Sequence, residues 1–363
     1  MTRVLHLVGP LAAPEMIAAL DLKVEAPDRR LTGGLRGGLR AGLPGQQWPV
    51  LRAADAVLDH AVVRANAKLE RYASVMGLKP VNWQGVRILG AQPDGQDAVP
   101  WRPESQSLQL VAAIAREILD ADPDMSAEDI ASRLPMIAVW ADSRLRAANG
   151  PVSGGKIVDM RASSDVRIAD RSQPFAGFFA VERQTLTHRR HKGGFTPQMT
   201  REAFVMGDAV VVLPWDPVRD RVLVIEQFRF APFIRHDPQP WLLEPIAGRI
   251  DAGETAEQAA RRETREEADL SLTRLFPAFH HYPSPGAAAE FLYMYVGIAD
   301  LPDDSAGIHG LAGEVEDIRG HLLDRDELMR MVLANEISNG PLAGLALWLQ
   351  HQKAALRKEL YGA

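Results

Sequence analysis

Between Gly248 and Leu270 the chain reads GRIDAGETAEQAARRETREEADL, a stretch in which acidic residues recur at chemically useful spacings. Gly248 is followed by Glu254, then by Arg262 and Glu263, and Glu266 and Glu267 stand three and four positions past Glu263. On a helix, positions i, i+3 and i+4 share one face, so Glu263, Glu266 and Glu267 converge. Like charges on one exposed face repel by about 0.2–0.5 kcal/mol per pair. A hard divalent cation such as Mg²⁺ or Mn²⁺ prefers carboxylate oxygens and turns that repulsion into a binding site. The competing reading is a solvated helix whose acids are neutralised locally by Arg261, Arg262 and Arg265. The preceding glycine turn and the regular spacing favour the cation.

Such a site needs a frame, and strands dominate from Phe175 onward. Residues 178–191, FFAVERQTLTHRRH, read as one long strand. Residues 208–214 and 221–226 read as a pair joined at Asp216-Pro217, and 290–298 as a strand after the acidic helix. Residues 324–335 and 341–359 are amphipathic helices. Strands, helix, strands and helices in that order predict a sheet–helix sandwich.

Upstream, residues 2–8 read as a short strand ending at Gly9-Pro10. In residues 32–45 Gly-Leu-Arg recurs, but the Gly-Lys-Ser/Thr ending of a phosphate cradle is missing, so a hairpin with glycine turns is expected. Residues 50–75 read as helical in parts, with Leu69 and Tyr72 on one face, and 106–121 carry a clear 3.6-residue stripe. Ser126 with Asp129 resembles a capping box opening a second helix, kinked at Pro135 and ended by Gly150. The Gly-, Ser- and Asp-rich segment 149–175 is the expected boundary, giving domains 1–150 and 151–363.

Composition narrows the partners. With 41 basic against 47 acidic residues (net charge −6), the chain has no electrostatic footprint for duplex nucleic acid. Zero cysteines exclude disulfides, thiolate zinc sites and cysteine nucleophiles, which fits a cytoplasmic protein. His6, Pro10, Glu15 and Asp21 interrupt the apolar start, so it reads poorly as a secretion signal. No apolar run approaches the roughly 18–20 residues of a membrane span, and no membrane partner is expected.

The glycine, glutamate and Arg-Glu spacing resembles the signature of the Nudix hydrolases, which cut a nucleoside diphosphate linked to another moiety. Thr264 stands where that pattern has an aliphatic residue, and Asp269 where it has glycine. Thr264 is small enough to sit against a sheet, and Asp269 is expected to take the left-handed conformation of a helix end. The flanks narrow the resemblance to the ADP-ribose pyrophosphatase branch. These are EQFR at 226–229, PWLLEPIAG at 240–248, SPGAAAE at 284–290, GIHGLAGEVEDI at 307–318 and TREAFVMGDA at 200–209. The resemblance covers about residues 172–355.

It implies an α+β protein with a Nudix α/β/α sandwich. The Ala247 carbonyl, Glu263 and Glu267 would hold metal, with Glu266 as a further ligand, and Arg262 would orient the acids. Gly248 and Gly253 would let the loop turn tightly. Arg229 and Arg201 would contact phosphates or terminal ribose, and Phe178 would stack on adenine across a homodimer whose long strand is exchanged. Glu314 would be the catalytic base, with Glu316 a nearby second acid and Glu290 a supporting one. Each has a plainer reading: Arg229 paired with Glu244, Phe178 in a core, and His280, His281 and the 188–191 histidines structural or solvated.

Residues 4–11 and 69–77, VLHLVGPL and LERYASVMG, weakly resemble the gamma-glutamylcyclotransferase-like fold, a small β-barrel with helices. Pro10 replaces that family's hydroxyl residue and Ala73 its acid, so this domain is expected to be inactive: a scaffold, dimerisation element or binding module. Two-domain chains of this kind resemble those labelled tellurite-resistance proteins, a label that implies no chemistry. The expected activity is metal-dependent hydrolysis of ADP-ribose to AMP and ribose 5-phosphate. The rivals are another nucleotide sugar such as GDP-mannose, or a module that senses nucleotides without cutting them.

Overall fold

The computed structural model describes residues 3–27, 29–93, 95, 99–102, 105–151, 154–159, 161–310 and 317–362. Its packing divides into two compact units, Met1–Met206 and Gly207–Ala363.

The second unit is built on an eight-stranded mixed sheet. Ala209–Asp216 and Arg221–Phe228 lie at its centre. Leu292–Ile298 runs parallel to the first and Ile318–Asp324 antiparallel to the second. Period-two alternation assigns each side chain to a face. Val211, Leu213, Trp215, Val222 and Val224 face one core, with Leu328, Leu342, Leu345 and Leu349 of the helices Arg325–Leu333 and Gly340–Tyr361. Val210, Val212, Leu223 and Ile225 face the other, with Ala259, Ala260 and Ala268 of the helix Ala256–Ala268. Because helices cover both faces, these central strands read as continuous apolar runs.

The first unit holds a five-stranded sheet in the spatial order Val24–Glu25, Ala61–Arg64, Val4–Leu7, Val86–Leu89, Val81–Trp83. Among the described residues no pairing closes it, so the small barrel expected from sequence is corrected to an open sheet. The strands Thr32–Arg36 and Val50–Val57 pair with each other in a separate ribbon instead of bridging its edges. Of residues 50–75, read as helical in parts, Val50–Val57 and Ala61–Arg64 are strands; in Ala61–Arg64 the adjacent β-branched Val62 and Val63 favour the extended backbone. Helix Ala67–Val75 follows, with Leu69 and Tyr72 both buried.

Helix Ser105–Asp120 lies where its apolar stripe predicted. Ser126 accepts the Asp129 N–H and caps Ala127–Ser132, but the chain then breaks at Arg133 and restarts as Leu134–Asn149, because Pro135 fits only a first turn. Val166–Ala176, Ala180–His188 and Met199–Val205 then form consecutive antiparallel strands. The first of these falls inside the segment read as a linker. Nearly all its residues are exposed, so no apolar alternation marked it. No helix among the described residues is long and apolar enough to cross a membrane.

Candidate active site

The acidic helix is fixed at both ends. Thr255 accepts the Gln258 N–H at 3.2 Å while the Gln258 side chain accepts the Thr255 N–H at 2.9 Å, a reciprocal cap. Asp269 ends the helix at φ 51°, the left-handed conformation expected of it. Thr264 is fully buried, and its hydroxyl donates to the Ala260 carbonyl at 2.7 Å, so an apolar site accepts it without an orphaned polar atom.

Arg262 gathers the acids. Its guanidinium donates to Glu254 at 2.9 and 3.2 Å, to Glu263 at 2.6 Å, to Glu266 at 3.0 Å and to the Arg249 carbonyl at 2.9 Å. Burial opposes its charge, but Glu254 and Glu263 outweigh that and raise its pKa. Glu267 is buried and accepts the Ala247 N–H at 3.1 Å, which ties the helix to the strand Ile246–Arg249. Glu263 occupies the space where a Cβ on Gly248 would lie, so any side chain at 248 would displace the carboxylate. Gly253 has φ 77°, as a tight turn requires, whereas Gly248 has an ordinary φ and is needed for space rather than for turning.

Among the described residues no three acids or histidines form a ready-made cation cage. The donor set still suits a hard divalent ion: carboxylates on one helix face beside a strand carbonyl, with glycine leaving room for Glu263. Glu263, Glu266, Glu267 and the Ala247 carbonyl are the groups that would hold it.

Arg229 donates twice to buried Glu244, at 2.6 and 2.8 Å, and Asn339 reaches the other oxygen of that carboxylate at 3.2 Å. The plainer reading of Arg229 as the partner of Glu244 is therefore realised, and it fixes the guanidinium plane. Glu290 is half-buried: burial pushes its carboxyl up, Arg249 opposes that and Asp208 adds to it. Asn339 carried no sequence signal, and Asp208 and Arg249, though inside the quoted motifs at 200–209 and 248–270, had no assigned role. Glu254 was visible in the spacing but had no assigned partner. His280 is structural, its Nδ1 accepting the Met294 N–H at 3.1 Å. Phe178 and Arg201 belong to the first unit. Phe178 is 64% exposed in the turn between Val166–Ala176 and Ala180–His188 and stacks edge-on to Phe179. Arg201 is exposed on Met199–Val205 and donates to the Thr200 carbonyl. Glu314 and Glu316 lie outside the described residues.

Residues 206–342 match the family model described as NUDIX domain. The ADP-ribose pyrophosphatase of Escherichia coli strain K12 is 40% identical over 215 residues, 59% of this chain and 99% of that protein. The chain belongs to the Nudix family. A second relative, the ADP-ribose pyrophosphatase of Haemophilus influenzae, is 34% identical over 200 residues, 54% of this chain and 91% of that protein. The GDP-mannose pyrophosphatase of Enterobacter sp. strain 638 is more distant, 28% identical over 159 residues, 44% of this chain and 82% of that protein. The Arg262-centred acids and the Gly248 cradle lie within the segment that matches the NUDIX domain.

Proposed function

We propose that the chain is a Nudix hydrolase that cuts the pyrophosphate of ADP-ribose to AMP and ribose 5-phosphate. The observation that carries this reading is the packing of Glu263 into the space left by Gly248, with Glu267 tied to the Ala247 N–H beside it. The greater identity to ADP-ribose pyrophosphatases than to a GDP-mannose pyrophosphatase favours ADP-ribose over other nucleotide sugars.

Hydrolysis adds negative charge to a diphosphate that is already anionic, so the site must supply compensating positive charge. A divalent cation, Mg²⁺ or Mn²⁺, supplies Lewis-acid neutralisation of that charge when bound. Glu263, Glu266 and Glu267 would hold it, and Arg262 orients Glu263 and Glu266. Arg229, its plane set by Glu244, binds a phosphate or the terminal ribose, and Arg201 assists. Phe178 stacks on adenine; its exposure at a turn is what an aromatic platform contributed across a homodimer needs. Glu314 takes the proton of the attacking water, and Glu290 supports it.

In this reading the Nudix portion is residues 151–363; a 215-residue match in a 363-residue chain must start at or before residue 149, which supports a boundary ahead of Val166–Ala176. The three-stranded antiparallel segment then belongs with the hydrolase. The preceding residues resemble a gamma-glutamylcyclotransferase-like domain without its acid, Ala73 standing in its place, and serve as a scaffold.

The test is AMP formation from ADP-ribose and GMP formation from GDP-mannose, each with and without Mg²⁺. AMP formation that requires the cation is the expected result. Tight ADP-ribose binding without turnover would make the protein a sensor instead. Glu267→Gln keeps an oxygen for the Ala247 N–H and is expected to fold normally, yet to lose about 10³-fold in kcat, roughly 4 kcal/mol of barrier. Full activity in that variant would remove the assignment.

A further inference from the structure

We infer that the helices Ser105–Asp120 and Leu134–Asn149 position the nucleotide-contacting strands through Arg144 and Glu182, which makes both positioning residues for substrate binding. This rests on the reading that Phe178 and Arg201 contact the substrate.

Hydrophobic burial does little to orient the first of these strands. Val166–Ala176 is exposed along almost its whole length, so its direction must be set by other contacts. A relay of five charged residues supplies them. Arg144 of the second helix donates to Glu117 of the first and, at 2.7 Å, to Glu182 of Ala180–His188. Arg171 of Val166–Ala176 donates to the same Glu182 oxygen at 2.9 Å and to Asp120 of the first helix at 2.6 Å. Glu182 is therefore held from two sides, by a helix and by its own sheet.

The burial of this relay makes it directional. The Glu117 and Glu182 side chains are 9% and 13% exposed. Burial pushes the Glu117 carboxyl up despite Arg144 and Arg171. At Glu182 burial acts in the same direction but is outweighed by Arg171 and Arg144, so its carboxyl is held below the usual range. Removing one partner would leave another charge poorly solvated, so the strands have one strongly preferred seat against the helices. The fork of each guanidinium sets angle as well as distance.

From Glu182 the connection reaches the substrate residues within the sheet. Gln184, two residues on and on the same face, donates to Glu182. Gln184 is the cross-strand partner of Arg201, so Arg201 shares that face. Phe178 lies four residues before Glu182, in the turn at residues 177–179. A shift of this seat moves Arg201 and Phe178 together without touching the signature acids.

The experiment is steady-state hydrolysis of ADP-ribose by the full chain carrying Glu182→Gln or Arg144→Met, with Arg201→Ala in parallel and thermal melting of each. The expected result is a KM raised roughly 5–10-fold in both relay variants with kcat within about twofold of the parent, a loss of binding shared by ground and transition states. If Arg144→Met does not fold, the nearly isosteric Glu182→Gln decides alone. An unchanged KM in folded Glu182→Gln, whether or not its melting temperature falls, overturns the inference by reducing the relay to a structural contact. A fall in kcat at constant KM overturns it as well. An unchanged KM in Arg201→Ala instead overturns the substrate reading on which the relay depends.

Discussion

At Gly248 one absent methyl group decides whether Glu263 can stay where it is. The backbone there is ordinary, so a larger residue would not be strained by its own φ; it would collide with the carboxylate. Gly248→Ala should therefore leave the melting temperature nearly unchanged and lower kcat by about 10²-fold, the scale of a misplacement near 1 Å at reacting groups. Parallel kinetics and thermal melting of that variant check this, and a large loss of stability with normal turnover would contradict it. Arg262 acts at the same scale. It contacts Glu254, Glu263 and Glu266 at once, which converts the repulsion on one helix face into a fixed array. Lysine could not replace it, because a single ammonium cannot hold three carboxylates in one plane.

The acidic helix shows how an element tolerates departures from its family's pattern. Thr264 takes an aliphatic position by returning its hydroxyl to the helix backbone, and Asp269 takes a glycine position by adopting φ 51°. The second substitution carries an energetic cost, since a side chain in the left-handed region is disfavoured. Asp269→Gly is expected to stabilise the protein by about 1 kcal/mol without altering kcat, read from urea unfolding and steady-state rates. A destabilised variant would show that the Asp269 carboxylate has a role beyond ending the helix. Among strands, those of the central sheet were legible because continuous apolar runs mark them, whereas Val166–Ala176 was not, because an exposed strand has the polarity of a loop.

For the whole molecule, acid sensitivity follows from Asp216, which joins the turn after Ala209–Asp216 to the segment at Leu301. Its buried carboxylate accepts N–H bonds from Val218 at 2.9 Å, Arg219 at 3.0 Å and Leu301 at 3.2 Å, besides the Arg219 guanidinium. Burial alone would push this carboxyl up, but Arg219 and the backbone donors outweigh it and hold it below the usual range. A depressed folded-state pKa gives stability that is present above the unfolded value of about 3.9 and is lost as pH falls through the folded value. Asp216→Asn should lower stability by about 2 kcal/mol near neutrality and flatten the loss of stability below about pH 4, as urea unfolding across pH would show. An unaltered acid limb would place the acid sensitivity elsewhere.

The sequence by itself determined the signature helix, the two-sided apolar strands and the closing helices, because local periodicity and the spacing of charges are written along the chain. It also brought Glu263, Glu266 and Glu267 to one face, since that needs only the pitch of a helix. Only the tertiary structure decided the rest. The Arg229–Glu244 pair was one of the sequence readings, but Asn339 reaches it from 95 residues beyond Glu244, and Glu117, Arg144 and Glu182 meet across as many as 65. Nothing along the chain announces such pairs, because any arginine satisfies local rules equally well with solvent as partner. The open sheet in place of a barrel was decided in the same way, by which strand edges find each other once loops are closed.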